Sequence, residues 1–245
     1  MKVTIQRFDP TVDPAPYLKD YEVPYEPPMT ALKALVYIHE NCEPIAFDYS
    51  CRARVCGRCA MLVNGKPGTA CTIALDDADV LIQPLPGFPV VHDLVVDKTT
   101  FYDRISNFER RIRFTPITSD DVKAPMDYEN MFLPSKDLEW FCRCGSCMAS
   151  CPVYNDPKNA GLYCGPANMI AIATRYFDPN DEGDRIGQAV QEGLWNCIMC
   201  GMCDEVCPAG DIDHMRVYQI LRDEAEARGL TAQKEPIFPY AYPEG

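Results

Sequence analysis

The sequence of 245 residues has no basic surplus and no long apolar run. Lysine and arginine total 23 against 36 aspartate and glutamate residues, which gives a formal net charge of −13. Such a chain has no excess of cations to neutralise phosphates, which excludes a nucleic-acid partner. No apolar run approaches the roughly 18 residues of a membrane-spanning helix, so no transmembrane span is expected. Because residues 1–10 contain no apolar core of a signal peptide, we expect a cytoplasmic location in which thiols stay reduced.

Histidine is also scarce, with 3 residues, whereas cysteine is abundant, with 14. Reduced cysteines in this number are expected to bind metal rather than form disulfides. They fall into two groups, because none occurs between Cys71 and Cys142. We therefore predict two domains, residues 1–105 and 106–245, each with its own metal chemistry and joined by a connector at about residues 104–136.

The first domain is predicted to be a small mixed sheet crossed by one helix and the second to be helical, which makes the chain α+β. Alternating Val3 and Ile5 predict a strand, Thr30 predicts a helix N-cap, and Asn64-Gly65 predicts a hairpin. The periodicity also predicts strands over 21–25, 80–83 and 90–96, and helices over 102–112, 167–176, 184–194 and 215–228.

Four cysteines of the first domain follow the plant-type ferredoxin spacing C-x4-C-x2-C with a later fourth cysteine: Cys51, Cys56, Cys59 and Cys71. A [2Fe–2S] cluster needs two thiolates on each iron and a loop whose amides surround the sulfurs. Gly57 permits the close backbone approach that such a loop requires. Zinc bound by the same thiolates is the alternative. Zinc sites usually pair two C-x2-C segments, and one segment here is stretched, so the spacing favours [2Fe–2S].

The second domain contains the bacterial ferredoxin run C-x2-C-x2-C-x3-C-P, formed by Cys197, Cys200, Cys203 and Cys207-Pro208. In this motif the fourth cysteine binds the other cluster of a pair, so a second run is required. That run is Cys142, Cys144, Cys147 and Cys151-Pro152. The crossed pattern predicts a [4Fe–4S] cluster on Cys142, Cys144, Cys147 and Cys207. It predicts a third cluster on Cys151, Cys197 and Cys203, with Cys200 as the candidate fourth ligand.

The first run is irregular, because Phe141 stands where a regular C-x2-C would place a cysteine. We expect Cys142 to take the ligand role through an altered loop. Two zinc knuckles are the alternative, and the crossed, proline-terminated pattern argues against them. Three four-thiolate sites would account for twelve of the 14 cysteines. Cys42 and Cys164 remain, and both are expected to be buried packing residues.

A series of short motifs runs in order along nearly the whole chain: Arg7-Phe8-Asp9-Pro10, Ser50-Cys51-Arg52, Cys56-Gly57, Asn64-Gly65, Leu85-Pro86-Gly87-Phe88-Pro89-Val90, Asp93-Leu94-Val95-Val96-Asp97, Gly165-Pro166, Trp195-x-Cys197 and Cys207-Pro208. In these motifs the chain resembles the iron–sulfur subunits of succinate dehydrogenase and quinol:fumarate reductase complexes. Residues 13–25 favour the fumarate reductase branch.

The resemblance implies a β-grasp ferredoxin domain followed by an α-helical ferredoxin domain. It implies a flavoprotein subunit carrying FAD near the first cluster and a quinone-binding membrane anchor subunit near the last. The chain would then lie at the cytoplasmic side of the cytoplasmic membrane. Gln219 and Arg222 match positions of a menaquinone pocket in the fumarate reductase branch. Catalysis would reside in the flavoprotein subunit, so we expect no catalytic residue in this chain and no activity from it alone.

Two alternatives stay open. The family usually has a [3Fe–4S] third cluster, with no thiolate at the position of Cys200, whereas the spacing in this chain favours [4Fe–4S]. The related thiol-linked fumarate reductases and heterodisulfide-reductase-type enzymes offer a second function. Those usually carry an added cysteine-rich domain on the same chain, so we expect the quinone-linked form.

Overall fold

The computed structural model describes residues 1–116, 118–120, 137–210 and 212–231. The predicted connector at residues 104–136 falls partly outside the described residues, at residue 117 and residues 121–136. The described part has a sheet-containing half followed by a helical half, so the α+β class is confirmed.

The first half contains nine strands: β1 Lys2–Arg7, β2 Tyr17–Glu22, β3 Met29–Thr30, β4 Ala60–Val63, β5 Lys66–Thr69, β6 Ala74–Leu75, β7 Val80–Gln83, β8 Val90–His92 and β9 Val95–Val96. Five of them form a mixed sheet in the order β2-β1-β7-β4-β5. Strand β1 is antiparallel to β2 and parallel to β7. The remaining strands form two small pairs, β3 with β6 and β8 with β9.

One helix, α1 (Ala31–Asn41), completes the first half. The Thr30 side chain accepts a hydrogen bond from the Lys33 amide, as the predicted N-cap should. The apolar side of α1, including Leu35 and Ile38, shares a core with Val3 and other sheet residues. That core buries the helix against the sheet and leaves the cysteine loop between α1 and β4 at its edge.

Three predicted elements differ from the structure. Residues 90–96 do not close the main sheet, because Asp93 has a φ of 48° and turns the chain between β8 and β9. The second strand begins at Tyr17, four residues before the predicted one, because its side chains are mostly exposed and carry no periodic signal. Helix α2 spans Thr99–Glu109 and begins before the predicted residue 102, since Asp97 accepts a hydrogen bond from the Thr99 amide.

The helical half contains α3 (Ser146–Ser150), α4 (Pro166–Tyr176), α5 (Arg185–Gln191), α6 (Met202–Glu205) and α7 (His214–Ala227). Helix α4 is its centre, with all residues from Pro166 to Ala173 buried. Proline is well suited to the first position of this helix, where its missing N–H costs nothing. The predicted helices over 167–176, 184–194 and 215–228 are confirmed, with small shifts at their ends.

A buried ion pair of the helical half holds the segment that follows α2. The side chains of Arg185 and Asp181 are 3% and 0% exposed, and their charged groups lie 2.7 Å apart. The Arg185 guanidinium also donates to the Arg110 carbonyl at 2.7 Å, and the Asp181 carboxylate accepts the Ile112 amide at 2.7 Å. Burial alone would raise the pKa of Asp181, but the hydrogen bonds from Arg185 and Ile112 hold this pKa below its usual value.

Candidate iron–sulfur centres

The first set of cysteines lies in one loop and at the base of one hairpin. Cys51 and Cys56 are in the loop after α1, Cys59 immediately precedes β4, and Cys71 follows β5. Because β4 and β5 pair antiparallel, they return Cys71 to the side of Cys59, and the Ala70 amide donates to the Cys59 carbonyl at 2.9 Å. Burial, and then the neighbouring Cys71 thiol, raises the pKa of Cys59. The structure thus brings this set together as the spacing predicts.

The loop of the first set points its amides at sulfur. The Cys51 sulfur accepts the Ala53 and Cys56 amides, each at 3.3 Å. These backbone hydrogen bonds lower the pKa of Cys51 to about 7. Arg52 and Arg54 adopt φ values of 56° and 68°, which residues other than glycine rarely take. This backbone conformation curves the loop around the sulfur. Strained backbone of this kind is typical of functional sites.

The second set joins Cys142, Cys144 and Cys147 with Cys207 from the later run. The first three are buried, with exposures of 6% to 8%. A hydrogen bond with Cys144, together with burial, raises the pKa of Cys142, and Cys207 lies near enough to contribute. Burial and then Cys144 raise the pKa of Cys207 itself. The Ser146 amide points at the Cys144 sulfur at 3.4 Å. Cys142 therefore lies beside the other members of this set.

The third set consists of Cys151, Cys197, Cys200 and Cys203. Burial raises the pKa of Cys151 to about 11, and the Cys197 and Cys200 thiols add to this effect. The same two thiols contribute to the raised pKa of Cys203, again after burial. The Met199 amide points at the Cys197 sulfur at 3.4 Å. Cys200, the most exposed of the four, is therefore close enough to Cys151 and Cys203 for its thiol to affect their pKa values.

The two later cysteine loops repeat one backbone conformation. In residues 143–145 the first and last residues have φ values of 53° and 87°, and in residues 199–201 they have 56° and 77°. This correspondence aligns Cys144 with Cys200 and places Phe141 opposite Cys197. Cys142 is thus one position out of the regular pattern, as its spacing indicates.

The first and second sets meet at Gly57. This residue has a φ of +65°, and a β-carbon on it would lie 2.3 Å from the Cys142 carbonyl oxygen and 2.7 Å from the Cys144 Cα. No side chain fits there. Ala60 and Leu85 of the first half form a small buried cluster with the same two cysteines. The close contact is therefore a packed junction between the two halves.

The two quinone-pocket candidates lie on α7 in different surroundings. Gln219 is exposed, and its amide donates to Asp223 at 2.6 Å. Arg222 is half-buried, donates to the Cys197 carbonyl at 2.5 Å and stacks 5.2 Å above the Trp195 ring. One candidate thus faces solvent and the other supports the loop of the third set.

Several buried polar groups near the cysteines do not follow from any motif. The hydroxyl groups of Tyr163 and Tyr218 share a hydrogen bond inside the helical core. His214 is 2% exposed and lies 2.8 Å from Asp204, next to Cys203. These residues have no characteristic spacing. Only the scarcity of histidine could have drawn attention to His214.

The two cysteines left over differ from each other. Cys164 is 1% exposed, as expected of a packing residue. Cys42 is exposed, so the expectation that it packs in the core is wrong. It follows the last turn of α1, where its amide donates to the Ile38 carbonyl, and the chain leaves the core there.

The donor sets fit iron–sulfur clusters. Each set offers four cysteine sulfurs, and backbone amides point at sulfurs in all three. Soft thiolates in fours suit both iron–sulfur clusters and zinc, but inward-pointing amides and crossed runs are features of the clusters. The class of protein defined by this fold and these sets is a multi-cluster iron–sulfur protein.

Comparison with known proteins supports the assignment to the iron–sulfur proteins. A family profile described as a 2Fe-2S iron-sulfur cluster binding domain matches residues 2–103, and one described as a 4Fe-4S dicluster domain matches residues 142–210. The fumarate reductase iron-sulfur subunit of Escherichia coli O6:H1 is 35% identical over 219 residues, covering 85% of this chain and 86% of that protein. The chain belongs to the family of iron–sulfur subunits of fumarate reductase and succinate dehydrogenase.

Another relative is a subunit of the fumarate reductase (CoM/CoB) of Methanothermobacter marburgensis, which is 37% identical over 209 residues and 85% of this chain. The chain spans only 41% to 45% of the length of this relative and of two similar iron–sulfur proteins. Among solved structures, a chain of the Mycobacterium smegmatis Sdh1 complex in the apo form matches with a TM-score of 0.79 and 26% identity, covering 95% of this chain and 98% of that one. Of the helices described for this chain, none has the length and apolar character needed to cross a membrane.

Proposed function

We propose that this chain carries electrons between FAD in a flavoprotein subunit and a quinone at a membrane anchor subunit, within a fumarate reductase or succinate dehydrogenase complex at the cytoplasmic side of the cytoplasmic membrane. When bound, the clusters supply one-electron oxidation and reduction. The residues proposed to hold them are Cys51, Cys56, Cys59 and Cys71 for [2Fe–2S]; Cys142, Cys144, Cys147 and Cys207 for [4Fe–4S]; and Cys151, Cys197, Cys203 and Cys200 for the third. The proposed domains are residues 1–105 and 106–245.

The contact at Gly57 carries this proposal. It places the backbone of the first cysteine loop against Cys142 and Cys144 of the second set. The second and third sets are interleaved in turn, because each run supplies its last cysteine to the other set. This continuous series of three donor sets suits a protein that conducts electrons across its own length.

At the third site, the position of Cys200 supports a [4Fe–4S] cluster over [3Fe–4S]. Its thiol contributes to the raised pKa of Cys151 and Cys203, so it lies near both. A three-iron cluster would leave this neighbouring thiol without iron.

For the quinone end, we propose the surface of α7 near Arg222 and Gln219. Arg222 contacts the Cys197 loop directly, which would put a quinone bound on this surface close to the third set. Gln219 offers an exposed amide on the same helix.

A second candidate function is supported by the 37% identity to a subunit of a fumarate reductase (CoM/CoB). In that case the electrons would come from a thiol pair rather than from a quinol. The cluster-binding residues would be the same, and only the partner of the third site would differ.

The test is to purify the native complex anaerobically by a tag on this chain, then analyse iron, acid-labile sulfide and FAD. We expect all three, with oxidation of a menaquinol analogue coupled to fumarate reduction. Oxidation of coenzyme M and coenzyme B thiols instead would favour the second candidate. Zinc without iron would refute both.

A matched pair of variants tests the ligands. Cys56→Ala should abolish the EPR signal of the reduced two-iron cluster, whereas Cys42→Ala, an exposed cysteine outside every set, should keep it. An unchanged signal in Cys56→Ala would refute the first ligand set.

A further inference from the structure

Lys98 is a buried lysine at the junction of the first and second cysteine sets. Its side chain enters the interior between the two halves, and the residue is 8% exposed. The ammonium donates to the Cys144 carbonyl at 2.9 Å and lies 5.9 Å from the centre of the Phe88 ring. Lysine is rarely buried to this degree without a negative partner.

The backbone holds Lys98 in place from both sides. Before it, the Asp97 amide donates to the Pro89 carbonyl at 2.8 Å. After it, the Tyr102 amide donates to the Lys98 carbonyl at 2.9 Å, which starts α2. The side chain therefore projects from a fixed point and has little freedom to swing out to solvent.

Within the described part of the chain, Lys98 forms no ion pair with a carboxylate. Burial lowers the pKa of Lys98, and the groups that oppose this are Cys144 first, then Asp48, Cys59 and Cys142. Asp48 is already engaged by Arg58, with contacts of 2.9 to 3.1 Å. The remaining groups around the ammonium are cysteines, two from the second set and one from the first, and their sulfurs carry negative charge when they bind iron.

We propose that Lys98 is the counter-charge of the second cluster and favours its reduced state. The inference rests on the proposed function, since it assumes clusters on the ligand sets given above. A cluster held by four thiolates is negative and gains one more negative charge on reduction. A cation fixed nearby in a poorly solvated junction stabilises the reduced form more than the oxidised form and so raises the reduction potential.

The geometry predicts how strongly the Lys98 charge affects the reduction potential of each of the three clusters. The ammonium contacts the backbone of Cys144, so the second cluster should respond most. Cys59 of the first set is also in its surroundings, so the first cluster should respond less. The cysteines with the largest electrostatic effect at Lys98 belong to the second and first sets, so we expect the third cluster to respond least and use it as the internal reference.

The test uses the complete chain, purified anaerobically, with redox titrations of all three clusters followed by EPR. Lys98→Gln keeps an amide donor for the Cys144 carbonyl but removes the charge. We expect its reduced-to-oxidised ratio for the second cluster to fall at least tenfold at a fixed potential, a downward shift of about 59 mV or more for one electron. Lys98→Arg should stay close to the wild type.

Arg143→Met is the matched control. It removes a positive charge beside the same cysteines, but Arg143 is exposed and already paired with Glu109 at 2.7 Å. Its shift should be smaller than that of Lys98→Gln, because water and the paired carboxylate screen the charge.

An unchanged potential in Lys98→Gln would overturn the inference, and so would equal shifts in the Gln and Arg variants, which would indicate a packing effect. A chain that binds no iron or sulfide would instead overturn the proposed function. If Lys98→Gln fails to assemble, the charge-retaining Lys98→Arg variant provides the test. We then expect Lys98→Arg to assemble with a near-normal potential of the second cluster, and failure to do so would show that the inference is wrong.

Discussion

Gly57 offers the sharpest test of the junction between the first two cysteine sets. Replacing it with alanine forces a side chain into a left-handed backbone conformation, which costs about 1–2 kcal/mol. It also puts a methyl group 2.3 Å from the Cys142 carbonyl oxygen and 2.8 Å from the Cys144 amide nitrogen. Both neighbours are backbone atoms, which cannot turn aside as a side chain can. Steric overpacking of this kind adds about 1–3 kcal/mol.

Gly65 in the β4–β5 turn is the matched control. It has a φ of +78°, but a β-carbon there would meet nothing within 4 Å. Gly65→Ala therefore has the conformational cost alone, about 1–2 kcal/mol. The difference between the two variants measures the steric cost at the junction, for which we expect about 1–3 kcal/mol.

The assay is urea unfolding of the anaerobic holoprotein, followed by cluster absorbance. EPR of the fully reduced protein adds a second readout, because a wider junction should weaken the magnetic interaction between the first and second clusters. Equal destabilisation by Gly57→Ala and Gly65→Ala, with an unchanged magnetic interaction, would show that the loops are not in tight contact.

Three further predictions concern the helical half. Asp181→Ala leaves the buried Arg185 cation unpaired and should cost about 3–5 kcal/mol in urea unfolding. In the wild type the pKa of Asp181 is lower in the folded protein than in the unfolded chain. The stability that Asp181 contributes is therefore fully present above pH of about 4 and is lost as the pH falls through the folded pKa. A difference in stability between the two proteins that does not change with pH would contradict this reasoning. Cys200→Ala should convert the third cluster to a three-iron form whose EPR signal appears in the oxidised anaerobic protein, and the same signal in the wild type would refute the four-iron assignment. Arg222→Met should destabilise the protein by about 1–3 kcal/mol through the lost hydrogen bonds to backbone carbonyls, whereas exposed Gln219→Ala should change it by less than about 0.5 kcal/mol.

The fold was predictable from the sequence where local signals agree with the tertiary structure. Thr30 caps α1 because its side-chain oxygen meets an amide that has no helical partner, and Asn64 and Gly65 take the positive φ values that a tight hairpin requires. The break at Asp93 was not predictable. Its carboxylate is buried and accepts the Arg7 guanidinium at 2.8 Å, a contact between residues far apart in the sequence.

Cysteine spacing predicted which cysteines the fold brings close together, because each run is short and local, whereas their roles as ligands stay a prediction. It could not predict Lys98 or the tyrosine pair, whose positions depend on how the two halves pack. Nor could it predict the exposure of Cys42, which depends on where the chain leaves α1. Spacing thus indicates which residues are candidate ligands, whereas the charges and hydrogen bonds around them emerge only from the tertiary fold.

The two halves differ in how far their cores depend on the cysteines. The core of the first half is made mainly of residues such as Val3, Leu35 and Ile82; of the four cysteines of the first set, only Cys59 belongs to it. In the second half, Cys147 and Cys203 belong to the core itself. Because iron-bound thiolates would then form part of this core, we expect cluster binding and folding to be coupled more tightly in the helical half. The junction at Gly57 thus joins a sheet with its own apolar core to a helical unit whose core includes proposed ligands.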